Sequence, residues 1–249
     1  MMIGLLYLVS TPIGNMEDIS LRTIKTIGSV DILLCEDTRH TGLLISWIIS
    51  KLEIQNSKIA SNLNFKFQKP KLLSYQEHNE FERIPEVISI LKEGKNIALV
   101  SDAGTPTISD PGFKLVRECI KNNIQIITIP GSTALISALT LSGLPTDRFT
   151  FFGYFPEKKG KGENLLQSIN SASGTIIFYE SCYRIKKTLL FIKDKLGDIE
   201  IVVCSELTKI YEKTIRGKIS NVLTFIGENN PKGEYVLLFN LNTQDLNFK

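Results

Sequence analysis

Short apolar runs alternate with amphipathic stretches over the first 145 residues, and this alternation restricts the folds open to the chain. The runs predict strands at residues 5–9, 31–35, 71–75, 97–100 and 124–129. Apolar residues between the runs recur at helical spacing, as in Leu21, Ile24 and Ile27. Strands that alternate with helices are typical of an α/β fold whose mostly parallel sheet carries helices on its faces.

Further helices are expected from Phe81 to Leu91 and from Phe113 to Ile120. Before the second of these, Asp110 would be the N-cap and Pro111 the first helical residue, since this pair is common at helix starts. The stretch 52–70 is polar and has no clear period, which favours an extended loop or a poorly ordered insertion.

The pattern changes at residues 143–147, where glycine and proline interrupt it. We therefore expect an N-terminal α/β domain at residues 1–145 and a smaller mixed-sheet α/β domain at 146–249. The second domain should contain strands at 149–154, 175–179, 200–204 and 235–239, an antiparallel neighbour at 212–216, and helices at 163–170, 184–196 and 219–227.

Composition excludes several functional classes. The formal net charge of +3 is far below that of a dedicated nucleic-acid-binding protein, although it permits an acidic partner. The four cysteines are scattered and there are only two histidines, so neither a disulfide framework nor a zinc site is expected. No apolar run is long enough to span a bilayer, and we expect a cytoplasmic protein.

Small and polar residues follow each predicted strand of the first domain. Because ligands bind beyond the carboxyl ends of parallel strands, these loops should form one ligand-binding rim. They contain neither a P-loop nor the Gly-x-Gly-x-x-Gly dinucleotide motif. They offer the Asp102 carboxylate and backbone groups near Gly104, although Asp102 could instead pair with a basic residue of the core. The rim loops are residues 10–15, 36–41, 76–80, 101–112 and 130–134.

Several of these segments resemble signature blocks of the ribosomal RNA small subunit methyltransferase I family, which belongs to the tetrapyrrole methylase superfamily. The matching blocks are residues 11–15, 36–41, 100–106, 109–112, 142–149, 178–181 and 206–209, together with Arg184. The resemblance extends from Leu5 to about Phe239. The chain departs from the family at Ser132 and Cys182, where proline is usual, and at Tyr211, where histidine is frequent.

The resemblance implies a bilobed fold, a homodimer and S-adenosylmethionine (S-adenosyl-L-methionine) bound in a cleft between the lobes. It also implies 2′-O-methylation of a decoding-site cytidine in 16S rRNA, the RNA of the small ribosomal subunit. The modest charge favours the assembled subunit over naked RNA as substrate. By the resemblance, the donor would contact Pro12, Asp102, Ala103, Thr105, Ser132, Thr133 and Ala134 in the first domain and Tyr179, Leu207, Lys232 and Gly233 in the second.

A ribose hydroxyl is a weak acid and must lose its proton as it attacks. Four rim residues could accept that proton, and the sequence does not choose among them: Glu36, Asp37, His78 and Glu180. Arg39 and three lysines, Lys158, Lys159 and Lys161, are candidate phosphate contacts. Without the resemblance, the three lysines would be interpreted as a solvated loop.

Three other functions remain open at this point. The chain could be a C-methyltransferase acting on a tetrapyrrole, although that carboxylate-rich substrate would favour an arginine-rich cleft. It could modify a histidine of a translation factor. It could also be a non-catalytic ribosome-assembly factor that binds RNA and a nucleotide.

Overall fold

A computed structural model describes residues 3–54, 66–228 and 232–242. The chain divides into two compact units, Met1–Thr133 and Ala134–Lys249. Each unit is an α/β structure built around a five-stranded sheet. The α/β class and the arrangement of a parallel sheet followed by a mixed sheet are as the sequence predicts.

The sheet of the first unit is parallel throughout, with the strand order β3-β2-β4-β1-β5. All five strands lie inside the predicted ranges. Their bounds are β1 Leu6–Val9, β2 Ile32–Cys35, β3 Lys71–Ser74, β4 Ile97–Leu99 and β5 Ile126–Ile129.

Helices cover both faces of this sheet, because alternate residues of each strand point to opposite sides. In β2, Ile32 and Leu34 join a core with helices α3 and α4, whereas Leu33 and Cys35 join a core with α1 and α2. The helices are α1 Leu21–Ile27, α2 Thr38–Ile54, α3 Glu80–Lys92 and α4 Phe113–Lys121.

Two expectations for the first unit were wrong. The rim loop 36–41 runs into helix α2, which extends to Ile54, so the start of the stretch 52–70 is helical. Residues 55–65 of that stretch lie outside the described residues. Helix α4 begins at Phe113 with Gly112 as its N-cap, so Asp110 and Pro111 belong to the preceding loop. Gly112 has a φ of +128°, a backbone conformation that suits glycine.

The second unit contains a mixed sheet in the order β6-β7-β10-β8-β9. Strand β6 runs parallel to β7, and the other pairs are antiparallel. The predicted antiparallel neighbour is β9, which pairs with β8 along its whole length. The strands are β6 Phe149–Tyr154, β7 Thr175–Ser181, β8 Glu200–Ser205, β9 Lys213–Lys218 and β10 Glu234–Phe239.

The boundary between the units follows Thr133, whereas the sequence pattern predicts it after residue 145. Helix α5 lies within the range expected for the first domain, 1–145, but it packs against β7, β9 and β10 and belongs to the second unit. Gly143 follows it with a φ of +77°, as a C-terminal cap requires. The helices here are α5 Ala134–Ser142, α6 Lys159–Ser168, α7 Ile185–Leu196 and α8 Ile219–Glu228.

Candidate active site

In the first unit, the loops after β1 and β4 are joined by backbone hydrogen bonds. The Thr11 N–H donates to the Gly104 carbonyl at 2.9 Å, and the Gly104 N–H donates to the Thr11 carbonyl at 3.1 Å. The Thr11 hydroxyl also donates to the Ser101 carbonyl at 3.2 Å. These bonds hold Pro12 and Asp102, two of the expected donor-binding residues, in neighbouring loops.

The loop after β5 is tied to the same two loops. The Thr105 hydroxyl donates to the Ser132 carbonyl at 3.1 Å and lies 3.0 Å from the Ser10 hydroxyl. Since the Thr105 proton is already donated, Ser10 is the donor of that second bond. Gly131 lies against Ser10, and a β-carbon at Gly131 would come within 2.8 Å of the Ser10 Cβ. Three strand-end loops therefore form one connected surface.

The loop 101–112 has an unusual backbone. Gly104 and Gly112 have φ angles of +91° and +128°, and Thr107 and Ser109, which carry side chains, have φ angles of +75° and +63°. Left-handed backbone is costly for a β-branched residue such as threonine. Strained backbone of this kind is concentrated at functional sites, which favours a binding role for this loop.

Glu80, at the start of α3, anchors the far end of that loop, a role that sequence analysis missed. Its buried carboxylate accepts hydrogen bonds from the Tyr75 hydroxyl at 2.8 Å and the Gly112 N–H at 3.2 Å. It also forms an ion pair with Lys114 at 2.9 Å. Burial opposes ionisation, but these donors outweigh it and lower the pKa of Glu80.

Asp102 presents a carboxylate at the centre of the rim. Its side chain is 41% exposed and its Oδ1 lies 3.6 Å from His40 Nδ1. The same oxygen accepts a hydrogen bond from the Asp37 N–H at 3.3 Å, which connects the loops after β4 and β2. Ala103 beside it is exposed. Asp102 thus keeps part of its carboxylate open to a ligand.

Glu36 lies directly after β2 and is partly buried. Burial and the nearby negative charges of Asp110 and Asp102 raise the pKa of Glu36 to about 7. A carboxyl group with this pKa is divided between its protonated and ionised forms at neutral pH. The Glu36 carbonyl also accepts a hydrogen bond from the Gln76 side chain at 2.6 Å, which holds the loop after β3 against it.

The neighbouring Asp37 forms an ion pair with Arg39. The Arg39 Nη2 donates to Asp37 Oδ2 at 2.8 Å and its Nε donates to Oδ1 at 3.1 Å. These bonds hold the pKa of Asp37 well below its usual range, at about 2. Arg39, one of the expected phosphate contacts, is exposed but shares its charge with Asp37. His78 is exposed in the turn that precedes α3.

In the second unit, Tyr179 lies near the end of β7 and its hydroxyl accepts a hydrogen bond from the Leu135 N–H at 3.1 Å. That N–H belongs to the first turn of α5, which begins at Ala134. The Tyr179 ring lies edge-on to Phe151 and Tyr154, with ring centroids 4.8 Å and 5.8 Å apart. Tyr179 therefore fixes the start of α5 within an aromatic cluster.

Leu207, Lys232 and Gly233 lie at the same end of the second sheet. Leu207 is buried just after β8, and Lys232 is exposed just before β10. Gly233 has a φ of +69°, and a β-carbon there would collide with the Glu206 carboxylate. Only glycine fits this turn without rearrangement.

Glu180 lies within strand β7 and is buried, so it is not part of an exposed loop at a strand end. Its side chain is 0% exposed, and its carboxylate accepts hydrogen bonds from the Thr188 hydroxyl at 2.5 Å and from the Ser181 N–H at 2.8 Å. The Arg184 guanidinium completes the network at 2.8 Å. With these donors in place the carboxylate is inaccessible to a substrate, so the expectation of a catalytic role for Glu180 was wrong. Strand alternation offered a signal, since Glu180 shares a face with the core residue Phe178.

The rim chemistry fits S-adenosylmethionine. That molecule carries an ammonium group, a carboxylate, ribose hydroxyls and a flat adenine. The rim supplies a partly exposed carboxylate at Asp102, the partly exposed side chain of Thr105, and non-helical backbone around Gly104. Asp102, Ala103 and Thr105 from the β4 loop, Pro12 from the β1 loop and Ser132 and Thr133 from the β5 loop would hold it. In the described parts of the chain there is neither a metal-binding cluster nor a helix that could span a membrane.

Comparisons with known proteins agree with this fit. Residues 5–223 match the family model of the tetrapyrrole (corrin/porphyrin) methylases. A Synechocystis protein named ribosomal RNA small subunit methyltransferase I is 44% identical over 94% of this chain and 78% of its own length. A Thermotoga maritima protein of the same name is 40% identical over 94% of this chain and 97% of its own length.

Solved structures show the same fold at low sequence identity. A diphthine synthase has a TM-score of 0.71 at 12% identity, covering 97% of this chain and 91% of its own. The uroporphyrin-III-C-methyltransferase of Thermus thermophilus has a TM-score of 0.61 at 18% identity and covers 94% of both chains. Methyltransferases of this family use S-adenosylmethionine as their methyl donor. The chain thus belongs to the tetrapyrrole methylase family, and within it to the relatives named ribosomal RNA small subunit methyltransferase I.

Proposed function

We propose that this protein transfers a methyl group from S-adenosylmethionine to the ribose 2′-hydroxyl of a decoding-site cytidine in the 16S rRNA of the small ribosomal subunit. The observation that carries the proposal is the 40–44% identity to methyltransferases named for small-subunit rRNA over 94% of the chain. We further propose that the protein acts as a homodimer in the cytoplasm, on the assembled subunit.

In this proposal the donor supplies an electrophilic methyl group, and the chain holds that group in line with the acceptor oxygen. Asp102 accepts hydrogen bonds from the donor, while Thr105 and Ser132 stay locked together by their 3.1 Å bond. The bonds between Thr11 and Gly104 keep the two loops from separating when the ligand binds. In the second unit, Ala134, Tyr179, Leu207, Lys232 and Gly233 are the further donor contacts.

Glu36 is the proposed general base. A base is most effective when its pKa lies near the working pH, and Glu36 has a pKa of about 7. Asp37 is a weaker choice because its pKa of about 2 leaves little driving force for accepting a proton. His78 is exposed in a turn, where the surrounding protein does little to orient it. Glu36 therefore takes the hydroxyl proton as the oxygen attacks.

The alternative of a tetrapyrrole substrate has weaker support. A substrate with many carboxylates would need several free arginines, whereas Arg39 at this rim is paired with Asp37 at 2.8 Å. The structural likeness to tetrapyrrole methyltransferases is at 13–18% identity, which bears on the fold alone. Exposed Lys158, Lys159 and Lys161 instead suit phosphate groups.

The test uses the purified protein, S-adenosylmethionine and small ribosomal subunits from a strain that lacks this modification. Mass spectrometry of the digested rRNA should show one new 2′-O-methylcytidine per subunit. Asp102→Asn should weaken donor binding in isothermal titration calorimetry, because a neutral amide attracts an ammonium group less strongly. Asp18→Asn, at an exposed carboxylate, is the matched control. A methyl group found on a base, or none on the RNA, would refute the proposal.

A further inference from the structure

One surface of the second unit concentrates positive charge around an exposed aromatic ring. Lys158, Lys159 and Lys161 lie at the start of helix α6, and Lys186 and Lys187 lie in the first turn of α7; all five are exposed. Tyr183, just before α7, has 95% of its surface exposed. We refer to these six residues as the lysine–tyrosine surface.

Topology brings the two groups of lysines to one end of the sheet. Strands β6 and β7 are parallel, so the helices that follow them begin at the same edge. Arg184 joins the two helix starts, since it contacts Glu157 Oε1 at 3.0 Å and the Phe155 carbonyl at 2.9 Å. Gly162 allows helix α6 to pack closely here, because a β-carbon at this position would lie only 3.1–3.3 Å from ring atoms of Phe155 and Phe191.

The nearby carboxylates do not neutralise these lysines. Glu157 and Glu180 bind Arg184, and Glu163 binds Lys195 at 3.0 Å. Among the ion pairs formed by residues that the structure describes, none includes a lysine of this surface. The surface therefore keeps its positive charge available for a partner.

Folding stability does not account for this arrangement. Positive charges at the N-terminus of a helix are unfavourable, because the helix dipole is positive there. Here the N-termini of both α6 and α7 carry lysines, and neither N-cap residue, Lys158 or Arg184, makes a side-chain capping bond. A bound anion would relieve the repulsion and accept hydrogen bonds from the uncapped backbone N–H groups.

The exposed ring of Tyr183 indicates which kind of anion this surface would bind. A ring this exposed gains little from packing, but it offers a flat face to an unpaired nucleobase. Tyr183 follows the end of β7, where the Cys182 N–H donates to the Gly233 carbonyl at 3.2 Å. Within this unit, the surface thus adjoins a residue proposed to contact the methyl donor.

We propose that the lysine–tyrosine surface binds an unpaired RNA strand, with the lysines on its phosphates and Tyr183 stacked on one base. This inference rests on the proposed function, because RNA is the substrate there. Unpaired RNA is favoured over duplex RNA because stacking needs a base whose face is open. Lys186, Lys187 and Tyr183 are thereby assigned as RNA-binding residues.

The test compares three variants of the full-length protein by fluorescence anisotropy with a labelled ten-nucleotide single-stranded RNA and a duplex of the same sequence. Lys186→Ala/Lys187→Ala should reduce the slope of log affinity against log salt by about 1.4, since each phosphate contact with a single strand contributes about 0.7. Tyr183→Ala should weaken single-strand binding about five- to a hundredfold and leave the slope unchanged. Lys92→Ala/Lys95→Ala, which removes two exposed lysines of the first unit, should bind as the wild type does.

Equal binding by all three variants and the wild type would overturn the inference, as would equal wild-type affinity for duplex and single strand. Donor affinity, measured by calorimetry, should stay unchanged in every variant, which separates a loss of RNA binding from misfolding. If the wild type methylates small subunits and the surface variants do so at the wild-type KM, only this inference fails. If the wild type itself methylates no RNA, the proposed function fails.

Discussion

Replacement of Glu36 by glutamine tests whether the proposed active site uses this carboxylate as its base. Glutamine keeps the shape of the side chain but cannot take up a proton. Loss of a general base typically slows a reaction by about 10²–10⁴-fold. The wild-type kcat should rise about tenfold per pH unit below pH 7 and level off above it, because only the ionised carboxylate accepts the proton and its pKa is about 7.

The same substitution, which should slow the reaction, should make the folded protein more stable at alkaline pH. Burial and the charges of Asp110 and Asp102 raise the pKa of Glu36 from 4.5 to about 7, so the folded state binds its proton more tightly than the unfolded state. Wild-type stability should therefore fall as pH rises through this window. The shift corresponds to about 3 kcal/mol, and partial exposure reduces it to roughly 1–2 kcal/mol. Glu36→Gln should be more stable than the wild type by that amount at pH 8, and by little at pH 4.5.

The assay combines methyl transfer to small subunits between pH 5.5 and 9 with urea unfolding at pH 4.5 and 8. Glu93→Gln, at an exposed position after α3, is the control and should alter neither measurement. A Glu36→Gln variant that keeps the wild-type rate and the inflection near pH 7 would refute Glu36 as the base. A variant with unchanged stability at pH 8 would refute the assigned cause of the raised pKa.

Three further substitutions test the packing that supports the site. Gly131→Ala should destabilise the protein by about 1–3 kcal/mol and weaken donor binding in calorimetry, because its β-carbon would lie 2.8 Å from that of Ser10. Gly160→Ala, whose β-carbon would meet nothing within 4 Å, should instead raise the thermal midpoint, as alanine favours helix by up to about 1 kcal/mol. Glu180→Gln should cost about 3–5 kcal/mol in urea unfolding, because it leaves Arg184 partly buried without its full counter-charge. Wild-type stability of Glu180→Gln would mean that this network is not structural.

The sequence by itself determined the elements and the class of the fold. Apolar runs located the strands because a strand buried on both faces must be apolar at nearly every position. Alternation of these strands with helical patterns required a parallel sheet, and β1 to β5 form one. The signature blocks likewise sufficed for the family, because they are read directly from residue order.

The start of helix α2 and the boundary between the two units could not be predicted from the sequence. The residues 36–41 were interpreted as a loop, but helix α2 starts at Thr38 and its apolar residues Ile45 and Ile48 complete the core beneath β2. Helix α5 precedes the glycine and proline that marked the expected boundary, yet it packs on the second sheet. Which sheet a helix covers depends on contacts between residues distant in sequence.

Only the tertiary structure distinguished among the candidate carboxylates. Glu36, Asp37 and Glu180 are equivalent acids in the sequence, but their surroundings differ. Burial and two acids more than 60 residues away along the chain raise the pKa of Glu36 to about 7. The bonds from Arg39 lower the pKa of Asp37. Four donor groups enclose the carboxylate of Glu180. Proton affinity is set by local solvation and charge, and these exist only once distant segments have packed together.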